Sequence, residues 1–560
     1  MDNYQIADIF TLLSKLMDIH GENSFKSKSY ASAAFAIEKL PQQLSETPVE
    51  KIAGIKGIGA SSAQKIIEIL ETGQLMALEE IILTTPPGVI EMLNIKGIGP
   101  KKIHTIWKEM ELETVGELLY ACKENRLKLY KGFGEKTQQN VTDTIEFYFK
   151  NKGSFLYAQT ETVVPLITDL LQELFTGKRV VLTGEFTRQL EVINELAFLI
   201  EEDIAAIEKA FNTIEGFELE QRNEKDLLLK SSAGIRIRIY PVNSADFTRK
   251  LVETSSSPDF FESLINNYPG LKDSSFASED DYFLSAGLPV IAPYLRNGSG
   301  NLEKAKGLTW PVVIQPEDIK GIIHCHSNWS DGGNTIEEMA NAAIALGREY
   351  LVISDHSKSA FYAQGLYEDK IAAQHKYIDE LNAKLHPFKI FKSIESDILN
   401  DGNLDYAPEI LASFDMVIAS VHSNLKMTEE KAMMRLLKAI ENPYTTVLGH
   451  MTGRLLLSRP GYPVDHDKII DACAANNVVI ELNAHPNRLD MDWRHIEKAL
   501  SKNVLISIDP DSHSAGSLTD TRYGVLVAQK AMVTREQNLS SFGLQEFETF
   551  IQARKKEKNI

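Results

Sequence analysis

Gly321-Ile-Ile-His-Cys-His-Ser-Asn-Trp-Ser-Asp-Gly332 places two histidines in alternation on a short apolar run, directly before an Asp-Gly turn. In a β-strand, residues i and i+2 point to the same side. We therefore expect His324 and His326 to face one cavity while Cys325 faces the packing side. Two imidazoles at a strand end suit zinc, manganese or iron. A single His-x-His pair is common by chance, so the rest of the chain decides whether it binds metal.

Six further apolar runs follow at the spacing of alternating strands and helices, and nearly all of them end in His, Glu or Asp. Runs of this length between helical patterns predict parallel strands that are buried on both faces. In a parallel barrel, functional side chains collect at the C-terminal ends of the strands. The pattern therefore predicts a metal site at that end of a barrel. The seven runs are 321–324, 350–356, 389–395, 416–422, 446–450, 478–483 and 504–513.

This constellation resembles the PHP (polymerase and histidinol phosphatase) family, which implies a distorted (β/α)7 barrel over 318–560 with three divalent ions (Mn, Zn or Fe). The resemblance gives His324, Glu395 and Asp511 central catalytic roles, with Glu395 bridging metal ions. Arg454 and Arg488 could bind a substrate phosphate or form structural ion pairs. The implied metal ligands are His324, His326, Asp331, His356, Glu395, His422, His450, Asp511 and His513.

The expected chemistry of such a site is metal-assisted hydrolysis of a phosphoester. Clustered ions lower the pKa of bound water and neutralise the phosphoryl oxygens. No separate protein nucleophile is needed for this reaction, and the sequence indicates none.

The first 150 residues contain a repeat, because Ile-Lys-Gly-Ile-Gly occurs at 55–59 and 95–99 and Lys-Gly-Phe-Gly at 131–134. Each copy lies between amphipathic helical patterns, which is the helix-hairpin-helix arrangement. Glycines let the backbone approach a ligand closely, and the next helix begins with free N–H groups suited to phosphate. The pattern predicts sequence-independent contact with the DNA backbone. The expected contacts include Gly57, Gly59, Gly97, Gly99, Lys101, Lys102, Gly132 and Gly134.

The stretches 25–34 and 63–68 resemble the N-terminal lyase domain of family X DNA polymerases. The resemblance makes Lys65 the Schiff-base nucleophile and places Lys26 and Tyr30 near a DNA phosphate. Schiff-base chemistry needs a lysine whose pKa is lowered by nearby cations or burial. One family lysine corresponds to Ser61 here, and Lys65 as a solvated helix residue remains an equal alternative.

The stretch 178–188 resembles the palm entry of family X polymerases, which hold two Mg²⁺ ions with three aspartates. Here the corresponding positions carry Glu195, Ala197 and Arg236. Carboxylates supply the metal-binding chemistry of nucleotide transfer, and an arginine repels the ion. We therefore predict that the palm has lost Mg²⁺ binding and that templated polymerisation is absent or very weak.

Over essentially its full length the chain resembles the bacterial PolX family, a family X polymerase fused to a PHP domain. The expected fold is multidomain α/β, with helical hairpin domains, an α+β nucleotidyltransferase-like palm and thumb, and the barrel. We expect DNA with gaps, nicks or 3′ ends as substrate. The predicted domains are 1–90 (lyase-like), 91–153 (fingers-like), 154–250 (palm), 251–300 (thumb-like), 301–317 (linker) and 318–560 (PHP).

Composition agrees with a monomeric cytoplasmic enzyme that acts without a membrane. The formal net charge of −19 argues against non-specific coating of nucleic acid, and three scattered cysteines predict a reducing compartment. Our main hypothesis is a repair enzyme that trims 3′ ends as an exonuclease or phosphatase, with cleavage at abasic sites as a further candidate activity. An active gap-filling polymerase, a histidinol-phosphatase-like enzyme and a DNA-binding scaffold are the alternatives.

Overall fold

The computed structural model describes all residues except 2, 39, 41, 151–152, 273, 299 and 307–309. The chain forms two compact units, Met1–Lys123 with Leu127–Tyr148 and Glu124–Arg126 with Phe149–Ile560. Among the described residues, no helix has both the length and the apolar character needed to cross a membrane.

The first unit is helical, and its core is built from the apolar faces of short helices. Ile6 and Phe10 of the first helix are completely buried, and the Phe10 ring packs edge-on against Tyr30 at 5.8 Å. A π-helical turn, Thr105–Glu109, follows the seventh helix. Helices α1 to α9 span Asn3–His20, Ser24–Glu38, Val49–Ile52, Ala60–Thr72, Met76–Leu83, Pro87–Glu91, Pro100–His104, Val115–Lys123 and Glu135–Lys150.

The second unit begins with an α+β region around a five-stranded sheet of order β2-β4-β7-β6-β5, in which only β4 and β7 pair in parallel. Branched and aromatic side chains such as Phe198 and Ile237 fill one face of this sheet. Strands β1 to β7 are Phe155–Leu156, Val180–Thr183, Val192–Ile193, Leu196–Ile200, Phe217–Arg222, Leu227–Ser231 and Arg236–Pro241. Helices α10 to α13 are Tyr157–Glu161, Val164–Leu174, Gly184–Thr187 and Ile204–Phe211.

A helical segment follows the palm sheet. Its buried Arg296 donates to Glu279 at 2.8 Å and to the Ser255 hydroxyl at 2.6 Å. The segment 301–317, expected to be a linker, overlaps a helix in which Leu302 is buried. Helices α14 to α17 are Phe247–Thr254, Pro258–Asn267, Glu279–Ser285 and Gly300–Ala305.

The C-terminal region is a nearly closed barrel of seven parallel strands in sequential order, which confirms the predicted fold class. An isolated bridge joins Cys325 at the end of the first strand to Ser512, which lies three residues after the end of the last strand. The strands are buried, apart from the partly exposed Lys389 and Lys392 of the third strand, because helices cover them outside. Strands β8 to β14 are Gly321–Cys325, Tyr350–Ile353, Lys389–Asp397, Met416–Ser420, Thr445–Leu448, Val479–Asn483 and Ile506–Asp509; helices α18 to α25 are Ile336–Ala345, Glu368–Leu385, Pro408–Leu411, Glu429–Ile440, His466–Asn476, Trp493–Ser501, Thr521–Lys530 and Leu544–Lys558.

Candidate metal centre

His324 and His326 turn into one cavity, with their ring centroids 5.3 Å apart. They do so through an irregularity, because the register of β8 shifts between Ile322 and Cys325 and His324 has a positive φ of 59°. Strand alternation therefore predicted the correct side for both rings, but it did not predict the register shift or the positive φ of His324. Cys325 is fully buried, and its thiol donates to the carbonyl of Val352.

The nine expected metal ligands meet at the C-terminal ends of the strands. Three overlapping groups have ligand atoms within 4.8 Å of one another and could each hold an ion. His326 and His356 each belong to two groups, and His450 approaches Oε1 of Glu395 at 3.0 Å. The groups are His326, Asp331, His356 and His513; His324, His326 and Asp511; and His356, Glu395 and His422.

The donor set fits metal ions. Within the described part of the chain, seven of the nine side chains carry a buried nitrogen or oxygen that has no hydrogen-bond partner. Buried polar atoms without partners are costly, and coordination to a cation would satisfy them. These atoms are His324 Nε2, His326 Nδ1, Asp331 Oδ2, His356 Nδ1, Glu395 Oε2, His450 Nδ1 and His513 Nε2.

Glu395 is the centre of the cluster, with its carboxylate within 3.2 Å of imidazole nitrogens of His324, His356 and His422. Burial by itself would raise the pKa of this carboxyl group. The surrounding imidazoles, His422 first, outweigh burial and hold the pKa of Glu395 well below its usual value. The carboxylate is therefore ionised and can offer one oxygen to each of two cations.

Carboxylates behind the cluster orient its histidines. Glu481 lies 2.5 Å from Nδ1 of His324 and also accepts the backbone N–H of His450, while Asp397 lies 2.5 Å from Nδ1 of His422. Contacts of this kind fix which ring nitrogen faces a metal. Neither residue was predicted to orient a histidine, although Asp397 stands two positions after Glu395 on the same strand face.

The two arginines expected at a substrate phosphate behave differently. Arg454 donates to Asp492 at 2.6 Å and to the backbone carbonyls of Arg488 and Leu489. This is the structural role that the sequence left open. Arg488 is buried, and its Nε lies 3.7 Å from Oδ2 of Asp511, so it adjoins the cluster.

The predicted palm positions lie in and beside the paired strands β4 and β7. Ala197 pairs in register with Arg238 rather than Arg236. Arg238 donates to both oxygens of Glu195, at 2.6 and 2.8 Å, and to Asp226 at 2.6 Å. Arg236, the position assigned from sequence, instead pairs with Glu220 in a more exposed location. Arg238, two residues beyond the position assigned from the sequence, is thus the residue opposite Ala197, because strand register depends on pairing that sequence spacing does not reveal.

The three hairpins share one backbone conformation. Gly57, Gly97 and Gly132 have φ values of 95°, 96° and 92°, a region that glycine adopts without penalty. Gly59 and Gly99 are extended N-caps of the next helices, and Gly134 immediately precedes one.

Side chains around the hairpins fall into accessible and inaccessible sets. Lys26 and Lys101 are exposed, and Lys102 donates to the carbonyl of Gly97 at 3.2 Å. Tyr30 is only 2% exposed, so its ring packs in the helical core, and its expected place near a DNA phosphate stays a prediction. Lys65 lies with its Nζ 5.9 Å from the Tyr30 ring centroid.

Family models match three stretches of the chain. They are described as a helix-hairpin-helix domain over residues 1–75, a SAM-like helix-hairpin-helix tandem over 89–146 and a PHP domain over 323–485. Two proteins described as probable phosphatases align with the C-terminal region. The one from Acetivibrio thermocellus is 30% identical over 30% of this chain and 67% of its own length, and that from Syntrophotalea carbinolica is 28% identical over 38% and 89%.

A further relative aligns with nearly the whole chain. It is the DNA polymerase/3'-5' exonuclease PolX of Bacillus subtilis, which is 29% identical over 97% of this chain and 99% of its own length. The order of the matched domains is the same as the order of the hairpins and the barrel in the structure. The helix-hairpin-helix domains and the C-terminal PHP domain of this chain match the architecture of a PolX protein that carries a PHP domain.

Proposed function

We propose that this protein is a DNA-repair enzyme that hydrolyses phosphoesters at the 3′ ends of gapped or nicked DNA, with the barrel cluster as its working site. The observation that carries the proposal is the convergence of nine buried or half-buried ligands at one barrel end, seven of which carry an atom without a hydrogen-bond partner. The similarity to PolX over nearly the whole chain and the PHP domain support an enzyme with hydrolase chemistry. Cleavage at abasic sites by the barrel belongs to the same proposal, and a Schiff-base lyase activity of Lys65 in the helical domain is a separate candidate activity.

Three divalent ions, of Mn, Zn or Fe, would occupy the three overlapping groups and supply Lewis-acid activation of water and phosphate. Glu395 would hold two of them through separate oxygens. Glu481 and Asp397 keep the Nδ1 atoms of His324 and His422 engaged, so that each Nε2 faces the cluster. Arg488 beside Asp511 would attract the phosphate of the substrate.

We also propose that templated polymerisation has been lost. The supporting observation is the position of the Arg238 guanidinium between Glu195 and Asp226. Because this guanidinium already neutralises the two carboxylates, they do not need a Mg²⁺ ion to do so. Ala197 provides no ligand. In a one-nucleotide gap with Mg²⁺ and all four nucleotides, we expect no insertion, and clear insertion would overturn this part of the proposal.

The DNA-end assignment is tested with purified wild-type protein and His324→Ala. We expect Mn²⁺-dependent trimming of 3′-recessed and gapped DNA by the wild type only, together with lower metal content in the variant. Nuclease activity that survives in His324→Ala would exclude the barrel as its source.

The phosphatase relatives favour a second candidate, a small-molecule phosphatase. Turnover of histidinol phosphate without any action on DNA would support this candidate instead. We further propose a monomer in the cytoplasm, in keeping with the three free, buried cysteines.

A further inference from the structure

Asp355 is a fully buried carboxylate that directly precedes the candidate metal ligand His356. One of its oxygens accepts the N–H of Ser327 at 2.8 Å and the hydroxyl of Ser330 at 2.5 Å. The other oxygen accepts the hydroxyl of Ser327 and the side-chain amide of Gln374, both at 2.7 Å. Gln374 belongs to α19, so the Asp355 carboxylate lies on the helix side of the barrel wall while His356 reaches the cluster.

The two serines that bind Asp355 flank other metal ligands. Ser327 directly follows His326, and Ser330 directly precedes Asp331. Through these neighbours and through His356, one carboxylate is connected to three of the four side chains in the first group of ligands. We call this group, which consists of His326, Asp331, His356 and His513, the Asp331 group.

The turn that follows His326 also reaches the fourth ligand of the group. The N–H of Gly333 donates to the carbonyl of His513 at 2.7 Å, and the N–H of Gly332 donates to the carbonyl of Ser327 at 2.9 Å. A Cβ on Gly332 would lie 2.6 Å from the carbonyl oxygen of His326, so the turn can approach the strand this closely only with glycine. Asp355 therefore holds a turn that is fitted closely to the metal ligands.

Asp331 depends on this turn because the barrel strand does not extend to it. Strand β8 ends at Cys325, and the oxygens of Asp331 lie 3.5 Å from Nε2 of His513 and 3.6 Å from Nε2 of His356. These distances are longer than those of normal hydrogen bonds. Direct contact with the two histidines thus does not fix the carboxylate of Asp331, whereas the bond from Ser330 to Asp355 fixes the residue before it.

The other two groups of ligands are supported by different carboxylates. Glu481 contacts Nδ1 of His324 and Asp397 contacts Nδ1 of His422, and neither histidine belongs to the Asp331 group. The Asp331 group shares His326 and His356 with the other groups, but these two residues stand at the ends of strands. The turn that carries Asp331 is therefore the part of the cluster that should respond most to a change at Asp355.

We propose that Asp355 is a positioning residue that sets the metal affinity of the Asp331 group separately from the affinities of the other two groups. The inference rests on the proposed hydrolytic function and identifies one metal ion that can be lost from that site while the others remain. Asp355 is not itself a ligand and acts through Ser327 and Ser330. Removal of hydrogen bonds behind a metal ligand typically costs about 10- to 100-fold in affinity.

The test compares wild type with Asp355→Ala and Asp355→Asn. Alanine removes both acceptor oxygens from the turn. Asparagine keeps one oxygen for the N–H of Ser327 and the hydroxyl of Ser330. If the amide of Gln374 rotates, the new N–H can donate to its Oε1, which has no hydrogen-bond partner within the described part of the chain. Asparagine should therefore preserve the position of the turn.

The matched control is Asp415→Ala. This carboxylate accepts the N–H of Lys392 at 2.8 Å and directly precedes β11, whereas the metal ligand His422 follows the other end of that strand. The control therefore removes a carboxylate that binds the backbone of the same barrel at a distance from the ligands.

Metal binding is measured on the full-length proteins after chelation and dialysis, by titration with Mn²⁺ and detection of the free ion by electron paramagnetic resonance. We expect Asp355→Ala to bind one ion about 10- to 100-fold more weakly than wild type, with the affinity for the remaining ions unchanged. Asp355→Asn should restore the wild-type affinity, and Asp415→Ala should not alter it. If Asp355→Ala does not fold, Ser330→Ala, which removes only the 2.5 Å bond, carries the same expectation.

Anomalous diffraction from Mn²⁺-loaded crystals shows which ion is affected. A peak lost beside Asp331 and His513 alone supports the proposal. Equal weakening of all peaks, an unchanged affinity in Asp355→Ala, or a failure of Asp355→Asn to restore binding would overturn it.

Hydrolysis of 3′-recessed DNA by the same wild-type protein separates this role from the proposed function. If wild type binds Mn²⁺ with the expected dependence on Asp355 but cleaves no DNA, the proposed function fails while the positioning role stands. If wild type cleaves DNA and Asp355→Ala binds every ion as wild type does, only the positioning role fails.

Discussion

Arg238 donates through Nε and Nη2 to the two carboxylate oxygens of Glu195, while its Nη1 binds Asp226 at 2.6 Å. Hydrogen bonding to Glu195 raises the pKa of the guanidinium above its usual value, and Glu195 and Asp226 add Coulombic attraction. Within the five-stranded sheet, Arg238 thus supplies the positive charge that pairs with Glu195 and Asp226.

Arg238→Ala should lower the free energy of unfolding of the palm region by about 2 kcal/mol, because it leaves two partly buried carboxylates without their charged partner. Arg236→Ala is the matched control, since its pair with Glu220 has an arginine side chain that is 45% exposed. Exposed pairs contribute less than about 1 kcal/mol. Thermal unfolding followed by circular dichroism measures both, and equal shifts would contradict the assignment of Arg238 as the internal cation.

Glu481→Gln should weaken metal binding while preserving the fold. The amide still fills the space beside His324 but loses the charge that orients and polarises the ring, and such changes typically cost 10- to 100-fold in affinity. Competition with a chelator, read as metal retained per protein, gives the affinity. Glu497→Gln, at an exposed pair with Lys304, is the control, and identical retention in both variants would show that Glu481 has no orienting role.

The periodicity of the sequence was sufficient to predict the barrel and the gathering of its ligands. Strand ends in a parallel barrel share one face, so terminal His, Glu and Asp residues meet there whatever the details of pairing. The positive φ values of His324 and Asp511, 59° and 51°, could not be predicted in this way. They arise where an irregularity of the backbone changes the direction of a single side chain. The presence of a histidine or an aspartate is not enough to predict a positive φ.

Contacts between strands that are distant in the sequence could not be predicted from residue spacing either. The pairing of Ala197 with Arg238 depends on the register of β4 against β7, and an offset of two residues conserves the pattern of side-chain faces. The burial of Tyr30 was missed for a related reason. A tyrosine on a helix can lie at the surface or in the core, and the sequence does not show that Tyr30 packs against the Phe10 ring.

Stability should depend on pH through Asp492. Burial would raise the pKa of this carboxyl group, but Arg454 and the N–H of Arg494 outweigh burial and lower the pKa to about 2. A lowered folded-state pKa stabilises the protein above the unfolded value of about 3.8, and the contribution is lost as pH falls toward 2. It amounts to about 2 kcal/mol at neutral pH.

Asp492→Asn should therefore lose about 2 kcal/mol relative to wild type at pH 6, with a difference that shrinks between pH 4 and 2. Asparagine retains the N-cap of the helix Trp493–Ser501, so the variant isolates the charge. Urea unfolding across this pH range measures the difference. A constant difference at all pH values would mean that the charge of Asp492 does not contribute.

Arg435 should be required for the geometry of the metal cluster, although it is not a ligand. Its fully buried guanidinium donates to the carbonyls of Ile398, Leu399 and Ser423, which lie on the two loops after Asp397 and His422. Arg435→Met fills similar space but leaves these carbonyls unpaired, at a cost of about 1–3 kcal/mol for each buried group. We expect a lower melting temperature and reduced metal content, both measured on the purified protein. Arg494→Met, at a 59% exposed side chain, should change neither quantity, and full metal loading in a destabilised Arg435→Met protein would limit Arg435 to a role in stability.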